Sequence, residues 1–128
     1  MSEGKFATAI NCMDGRTQLP VIEYLKNKYH VNHVDTITEP GPNKILAENR
    51  DRAALDSIKR RVEISVKKHG SRHIAIVGHH DCAGNPTDND TQVSHLLSAI
   101  ITVKSWNFGA EIIGLWLDDK WKVNEVNI

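Results

Sequence analysis

Cys12, Asp14 and Arg16 occupy alternate positions near the start of the chain, and His79, His80, Asp81 and Cys82 form a second run far from it. Two thiolates and one imidazole make a good zinc shell. Zinc takes sulfur and nitrogen donors in a tetrahedron, and a catalytic site leaves the fourth position open to water. Cys12, Cys82 and one histidine supply three donors. His79 has two residues between itself and Cys82, and His80 has one, so spacing alone does not choose between them. Asp14 can close the fourth position or accept a hydrogen bond from water held there. Arg16 can grip that carboxylate through a bidentate pair and keep it ionised. Water on zinc ionises near neutral pH, which gives a hydroxide nucleophile without a strong base.

Plainer readings compete. Free cysteine behaves as a small buried hydrophobe, and an Asp–Arg pair two residues apart is usually a surface ion pair. The absence of a Cys-x-x-Cys motif argues against a redox disulfide. His80 and Asp81 read as loop residues, with His80 a candidate proton shuttle. Trp106, Trp116 and Trp121 read as core or interface anchors. Glu39-Pro40-Gly41-Pro42 suits a rigid turn and a pocket wall equally well.

The elements that must position these residues follow from periodicity. Lys5 to Asn11 reads as a buried strand, and a helix begins near Thr17 with Val21, Ile22, Leu25 and Tyr29 on one face. His33 to Thr38 suits a second strand, and a short helix over Lys44 to Glu48 follows the Pro-Gly breaker. A long helix starts at Asp51, buries Leu55, Ile58, Val62 and Val66, and stops at Gly70. Arg72 to Gly78 is a third buried strand, and Asp81 to Asp90 a polar loop. The last helix opens near Asp90 or Thr91, with Val93, Leu96, Leu97, Ile100 and Ile101 as its apolar stripe. Glu111 to Leu117 is a fourth strand. The turn at Asp118-Asp119-Lys120 can bring Trp121 to Val126 back as an antiparallel edge. The expected fold is α/β, a mainly parallel sheet of about four strands with helices on both faces. Ligand sites in such sheets lie at the carboxyl ends of the strands, where both chemical runs fall.

The chain has 128 residues, and 16 Lys+Arg balance 16 Asp+Glu. That neutrality leaves no electrostatic footprint for nucleic acid or an anionic membrane, so neither is expected as a partner. The length and 40% hydrophobic content fit one globular domain over residues 1–128. No run of ~20 apolar residues is present, and no secretory signal pattern is recognised. Two cysteines do not make a disulfide scaffold, so a reducing cytoplasm is the expected compartment.

Cys12-Met13-Asp14-Gly15-Arg16 resembles the Cys-x-Asp-x-Arg signature of the β-class carbonic anhydrases, and Gly78-His79-His80-Asp81-Cys82 resembles their Gly-His-x-x-Cys signature. The order and the long gap also fit, and the likeness spans roughly Phe6 to Leu117. The resemblance implies Cys12, His79 and Cys82 as zinc ligands and Asp14 with Arg16 as a catalytic dyad. It implies reversible hydration of carbon dioxide to bicarbonate by zinc-bound hydroxide, in a homodimer or larger assembly. The family's usual N-terminal helical arm is not expected here, since the first strand is read almost at the first residue. Thr38-Glu39-Pro40-Gly41 replaces an Arg-Asn-Ala-Gly-like segment, and Ala83 replaces the glycine after the second cysteine. These changes alter the walls and not the metal donors. A zinc hydrolase of carbonyl sulfide or carbon disulfide is therefore one alternative. A non-catalytic zinc module, with Asp14 as a permanent fourth ligand, is the other.

Overall fold

A computed structural model describes residues 4–127. The chain runs β1 (Phe6–Cys12), α1 (Gly15–Tyr29), β2 (His33–Glu39), α2 (Pro42–Glu48), α3 (Arg52–His69), β3 (His73–His79), α4 (Asn89–Lys104), β4 (Glu111–Leu117) and β5 (Val123–Val126). The five strands form one sheet in the order β2-β1-β3-β4-β5. The first four are parallel and β5 runs antiparallel along β4, with Gly114 opposite Val126 and Leu117 opposite Val123. The expected fold class holds, with the C-terminal edge as a fifth strand.

β1 and β3 are buried on both faces, so their apolar residues run on without alternation. Ile10, Ile74 and Ile76 point to the layer of α2, α3 and α4, where they meet Leu46, Ile58, Val62, Leu96 and Ile100. Ala9, Ala75, Val77 and Leu115 point the other way, toward Val21 and Leu25 of α1. Connections from β1 lead to β2 on one side, and those from β3 lead to β4 on the other. The order therefore reverses between β1 and β3, and a doubly wound sheet opens a crevice at such a point. Cys12 is the last residue of β1 and His79 the last of β3.

Strand ends differ from the sequence expectation by a residue and α2 begins at Pro42 and not Lys44; three further boundaries differ for reasons the structure shows. α1 starts at Gly15 and not near Thr17, because Asp14 is its N-cap, accepting a hydrogen bond from Arg16 N at 2.9 Å. α4 starts at Asn89, capped by Asp88, and its buried face is Gln92, Leu96, Ala99, Ile100 and Val103. Ile101, expected in that stripe, is 61% exposed. Gln92 is accommodated on that face because both ends of its buried amide are bonded, Nε2 donating to Asn85 O at 2.7 Å and Oε1 accepting from Asn43 Nδ2 at 2.7 Å. β5 begins at Val123, since Trp121 belongs to the preceding turn.

Candidate metal centre

The ends of β1 and β3 bring Cys12, His79 and Cys82 together, with ligand atoms all within 4.8 Å of one another and all three residues buried. The chain can return to place Cys82 there because it turns sharply after β3, with Asp81 in the left-handed region at φ 57°. The two sulfurs are 3.8 Å apart and unbridged. His79 Nδ1 lies 2.7 Å from the His80 carbonyl, so Nδ1 carries the proton and donates. That bond fixes the tautomer and leaves Nε2 as a lone pair. Nε2 is buried and has no hydrogen-bond partner among the described residues. A buried lone pair beside two thiols wants a Lewis acid, and the donor set matches zinc. His80, which spacing left as a competitor, instead continues the sheet, donating N–H to Leu117 O at 2.9 Å, and lines the cleft outside.

The electrostatics agree. Cys12 is held well below the usual thiol range, first by its hydrogen bond with Cys82 and then, against the cost of burial, by His79 and the peptide groups of Gly41 and Asp14. The same hydrogen bond between the thiols, burial and the Cys12 charge push Cys82 up. So close a pair carries one negative charge readily and a second only with a cation beside it. Burial pushes His79 down, but the nearby Cys12 sulfur and the His80 carbonyl outweigh this and raise it.

Asp14 and Arg16 stand at the mouth of this group. Arg16 Nε donates to Asp14 Oδ1 at 3.0 Å and Nη2 to Oδ2 at 2.6 Å, a fork-on-fork pair. Hydrogen bonding from Arg16 draws the Asp14 carboxyl down to about 2 despite partial burial. Asp14 is therefore ionised at any ordinary pH, and both of its oxygens are engaged by Arg16 and not by the three donors. Two further partners of Arg16 were not legible as such. Asp81 accepts from Nη1 at 3.3 Å through Oδ2 and from Nη2 at 3.2 Å through its carbonyl. The Trp121 ring lies under the guanidinium, 4.4 Å from Cζ to the ring centroid. These pairings cross 65 and 105 residues of chain, and no local spacing signals them.

Two openings reach the group. An open cleft of about 710 Å³ is lined by Asp14, Arg16, His80, Asp81 and Asp88. A smaller cavity of about 230 Å³ is walled by Met13, Pro40, Ala83 and Gly84, with Cys12 and Asp14 at its edge. The Pro-Gly segment is thus both a turn and a wall. Its approach to the opposite loop requires glycine: a Cβ on Gly84 would lie 2.3 Å from the Pro40 carbonyl carbon. The same two loops are tied beneath by Asn43, Gln92 and Asn85, and Asn85 Nδ2 lies 2.9 Å from His95 Nδ1. Among the described residues no helix is long and apolar enough to cross a membrane.

A family model described as "Putative carbonic anhydrase" matches residues 2–127. No curated protein matches the chain significantly. The fold is similar to that of the β-carbonic anhydrase isoform I of the protozoan Trichomonas vaginalis, with a TM-score of 0.65 and 15% identity, covering 94% of this chain and 81% of that one. It is similar to a carbonic anhydrase from Streptococcus mutans, with a TM-score of 0.64, 19% identity and the same two coverages. It is also similar to a tetrameric β-carbonic anhydrase of the ascomycete Sordaria macrospora, with a TM-score of 0.56 and 13% identity, covering 99% of this chain and 83% of that one.

Proposed function

Because this chain belongs to the putative carbonic anhydrase family, we propose that it catalyses the reversible hydration of carbon dioxide to bicarbonate. Cys12, His79 and Cys82 hold the zinc, and Asp14 and Arg16 form the catalytic dyad. The observation that carries this reading is a buried histidine with a partnerless Nε2, clustered with two free thiols so that the ligand atoms lie within 4.8 Å of one another. Zinc in that shell would supply Lewis acidity toward water, bringing its ionisation near neutral pH.

The remaining work falls to side chains. An ionised Asp14 can only accept, so it would accept a hydrogen bond from the attacking oxygen and aim that oxygen's lone pair at the electrophile. Arg16 keeps Asp14 ionised and holds it away from the ligand set, which favours an open fourth position over a closed structural site. Carbon dioxide is small and apolar, and the cavity walled by Met13, Pro40, Ala83 and Gly84 suits it. The proton leaves through the polar cleft, where the His80 imidazole can receive it.

The chain acts as one domain and as a homodimer or larger assembly, a second copy covering Met13 and Leu19, which are 64% and 68% exposed beside the site. Unbridged thiols suit a reducing compartment such as the cytoplasm.

The test is stopped-flow hydration of carbon dioxide by protein of verified zinc content, with Asp14→Ala as control. Activity that rises between about pH 6.5 and 9 and falls about 100-fold in Asp14→Ala at equal zinc is expected. Zinc-loaded protein active on carbon disulfide or carbonyl sulfide and silent on carbon dioxide would replace the substrate. Silence on all three would leave a non-catalytic zinc module.

A further inference from the structure

Five non-glycine residues among those described have backbone in the left-handed region: His30, Asn49, Asp81, Asn107 and Trp121. His30 and Asn49 are the C-caps of α1 and α2, and Asn107 sits in the turn that follows α4. Those are positions where such geometry is ordinary. The other two, Asp81 and Trp121, both touch Arg16.

Trp121 is the costlier of the pair. The β4–β5 hairpin turns by a bond from Trp121 N to Asp118 O at 2.9 Å and closes by one from Asp118 N to Lys122 O at 3.2 Å. This turn sets residue 121 at φ 61°, a conformation that glycine or asparagine adopts easily and a bulky aromatic residue rarely does. A strained position of this kind persists where its surroundings over-determine it, and such positions gather at functional sites. What surrounds Trp121 is the dyad: its indole lies under the Arg16 guanidinium at 4.4 Å and its ring is 5.8 Å from that of His79.

Arg16 needs such a support. Its side chain is 46% exposed, and exposed ion pairs hold long side chains weakly. Asp14 takes the Nε–Nη2 edge of the guanidinium and Asp81 accepts from Nη1. A ring beneath the plane attracts the cation without competing for any N–H donor. We propose that Trp121 is a positioning residue, its indole face clamping the Arg16 guanidinium in the orientation that grips Asp14. Its effect on turnover rests on the hydration reading above; the clamp itself does not.

The experiment compares zinc-loaded wild type with Trp121→Phe, Trp121→Leu and Trp121→Gly. Leucine keeps apolar bulk over the cluster formed with Val123, and glycine relieves the backbone, so neither should unfold the hairpin. The first readout is the NMR resonance of the Arg16 Nε–Hε group. It should be shifted upfield by the ring and slow to exchange in wild type and Trp121→Phe, and should collapse to the free-arginine position in the leucine and glycine variants. The second is kcat/KM for carbon dioxide at equal zinc, expected to fall about tenfold in those two variants, mainly through kcat, and to be largely restored in phenylalanine. An Arg16 resonance unmoved by leucine and glycine overturns the clamp, and so does an equal loss of activity in all three variants. Wild-type protein that holds zinc but does not hydrate carbon dioxide overturns the reaction instead, and the Arg16 resonance then decides the clamp alone.

Discussion

Both ends of the sheet carry histidines, carboxylates and aromatic rings, but only the carboxyl end adds the two cysteines. At the amino ends of the strands, His69 Nδ1 lies 2.6 Å from Asp35 Oδ2, which also accepts from Ser65 at 2.7 Å. Thr8 bonds to Ser65 and donates to Ser71, and all three are buried. Phe6 stacks on His69, and Tyr29 lies flat on His73 while donating to Glu111. A cavity of about 370 Å³ opens there too. Yet these donors and acceptors are spent mainly on one another. His73 Nδ1, left 4.0 Å from Glu111, belongs to a ring that burial pushes toward neutrality. At the carboxyl ends, three donors converge within 4.8 Å and the His79 lone pair meets nothing. His73 Nδ1 and His79 Nε2 are both buried without a partner, and only the second has two thiols beside it; an unmet demand shared by several fitting donors makes the site.

That contrast breaks if the amino end proves to matter for the metal. Cys82→Ser should lose nearly all bound zinc and about 100-fold or more of the activity. His69→Gln should keep both within about twofold, read by zinc analysis and stopped flow. Zinc loss in His69→Gln would show that the two ends are not independent. A sharper separation comes from Ser65→Ala. It removes bonds to Thr8 and Asp35 in a buried setting and should cost about 1–3 kcal/mol in denaturant unfolding, with zinc affinity unchanged.

The smallest effect concerns the edge strand that follows the Trp121 turn. Glu125 is drawn down to about 2, first by Lys28 and then by Tyr24. Its folded value lies below its unfolded one, so the stabilisation is complete above about pH 4.3 and is lost as pH falls toward about 2. The two side chains are 26% and 32% exposed, so solvent screening leaves about 1 kcal/mol. Glu125→Gln should flatten the acid limb of the stability profile by that amount, measured as unfolding free energy from about pH 6 to 2.

Much of this was legible in the sequence for definable reasons. The unbroken apolar runs of β1 and β3 mark strands buried on two faces, and α3 announces itself through Asp51 and Gly70. Cys12 and His79 then fall at strand ends, where such folds place their sites. Apolar periodicity failed on α4, because Gln92 is buried through hydrogen bonds that no hydropathy pattern records. Asp14 was legible as chemistry but not as the helix cap it also is. Spacing alone left His79 and His80 open, and the resemblance favoured His79; the bend after β3 is what brings His79 and Cys82 together. Asp81 and Trp121 reach Arg16 only through the tertiary fold, Trp121 from a backbone conformation its own residue type disfavours.

The central claim is that Cys12, His79 and Cys82, and not His80, hold the metal. Zinc-edge X-ray absorption on the loaded wild-type protein at about pH 8, with Cys82→Ser and His80→Gln beside it, tests this most directly. Two sulfurs at ~2.3 Å and one imidazole in wild type and His80→Gln are expected, with the shell lost in Cys82→Ser. A shell with one sulfur, or with a second imidazole that disappears in His80→Gln, would contradict it.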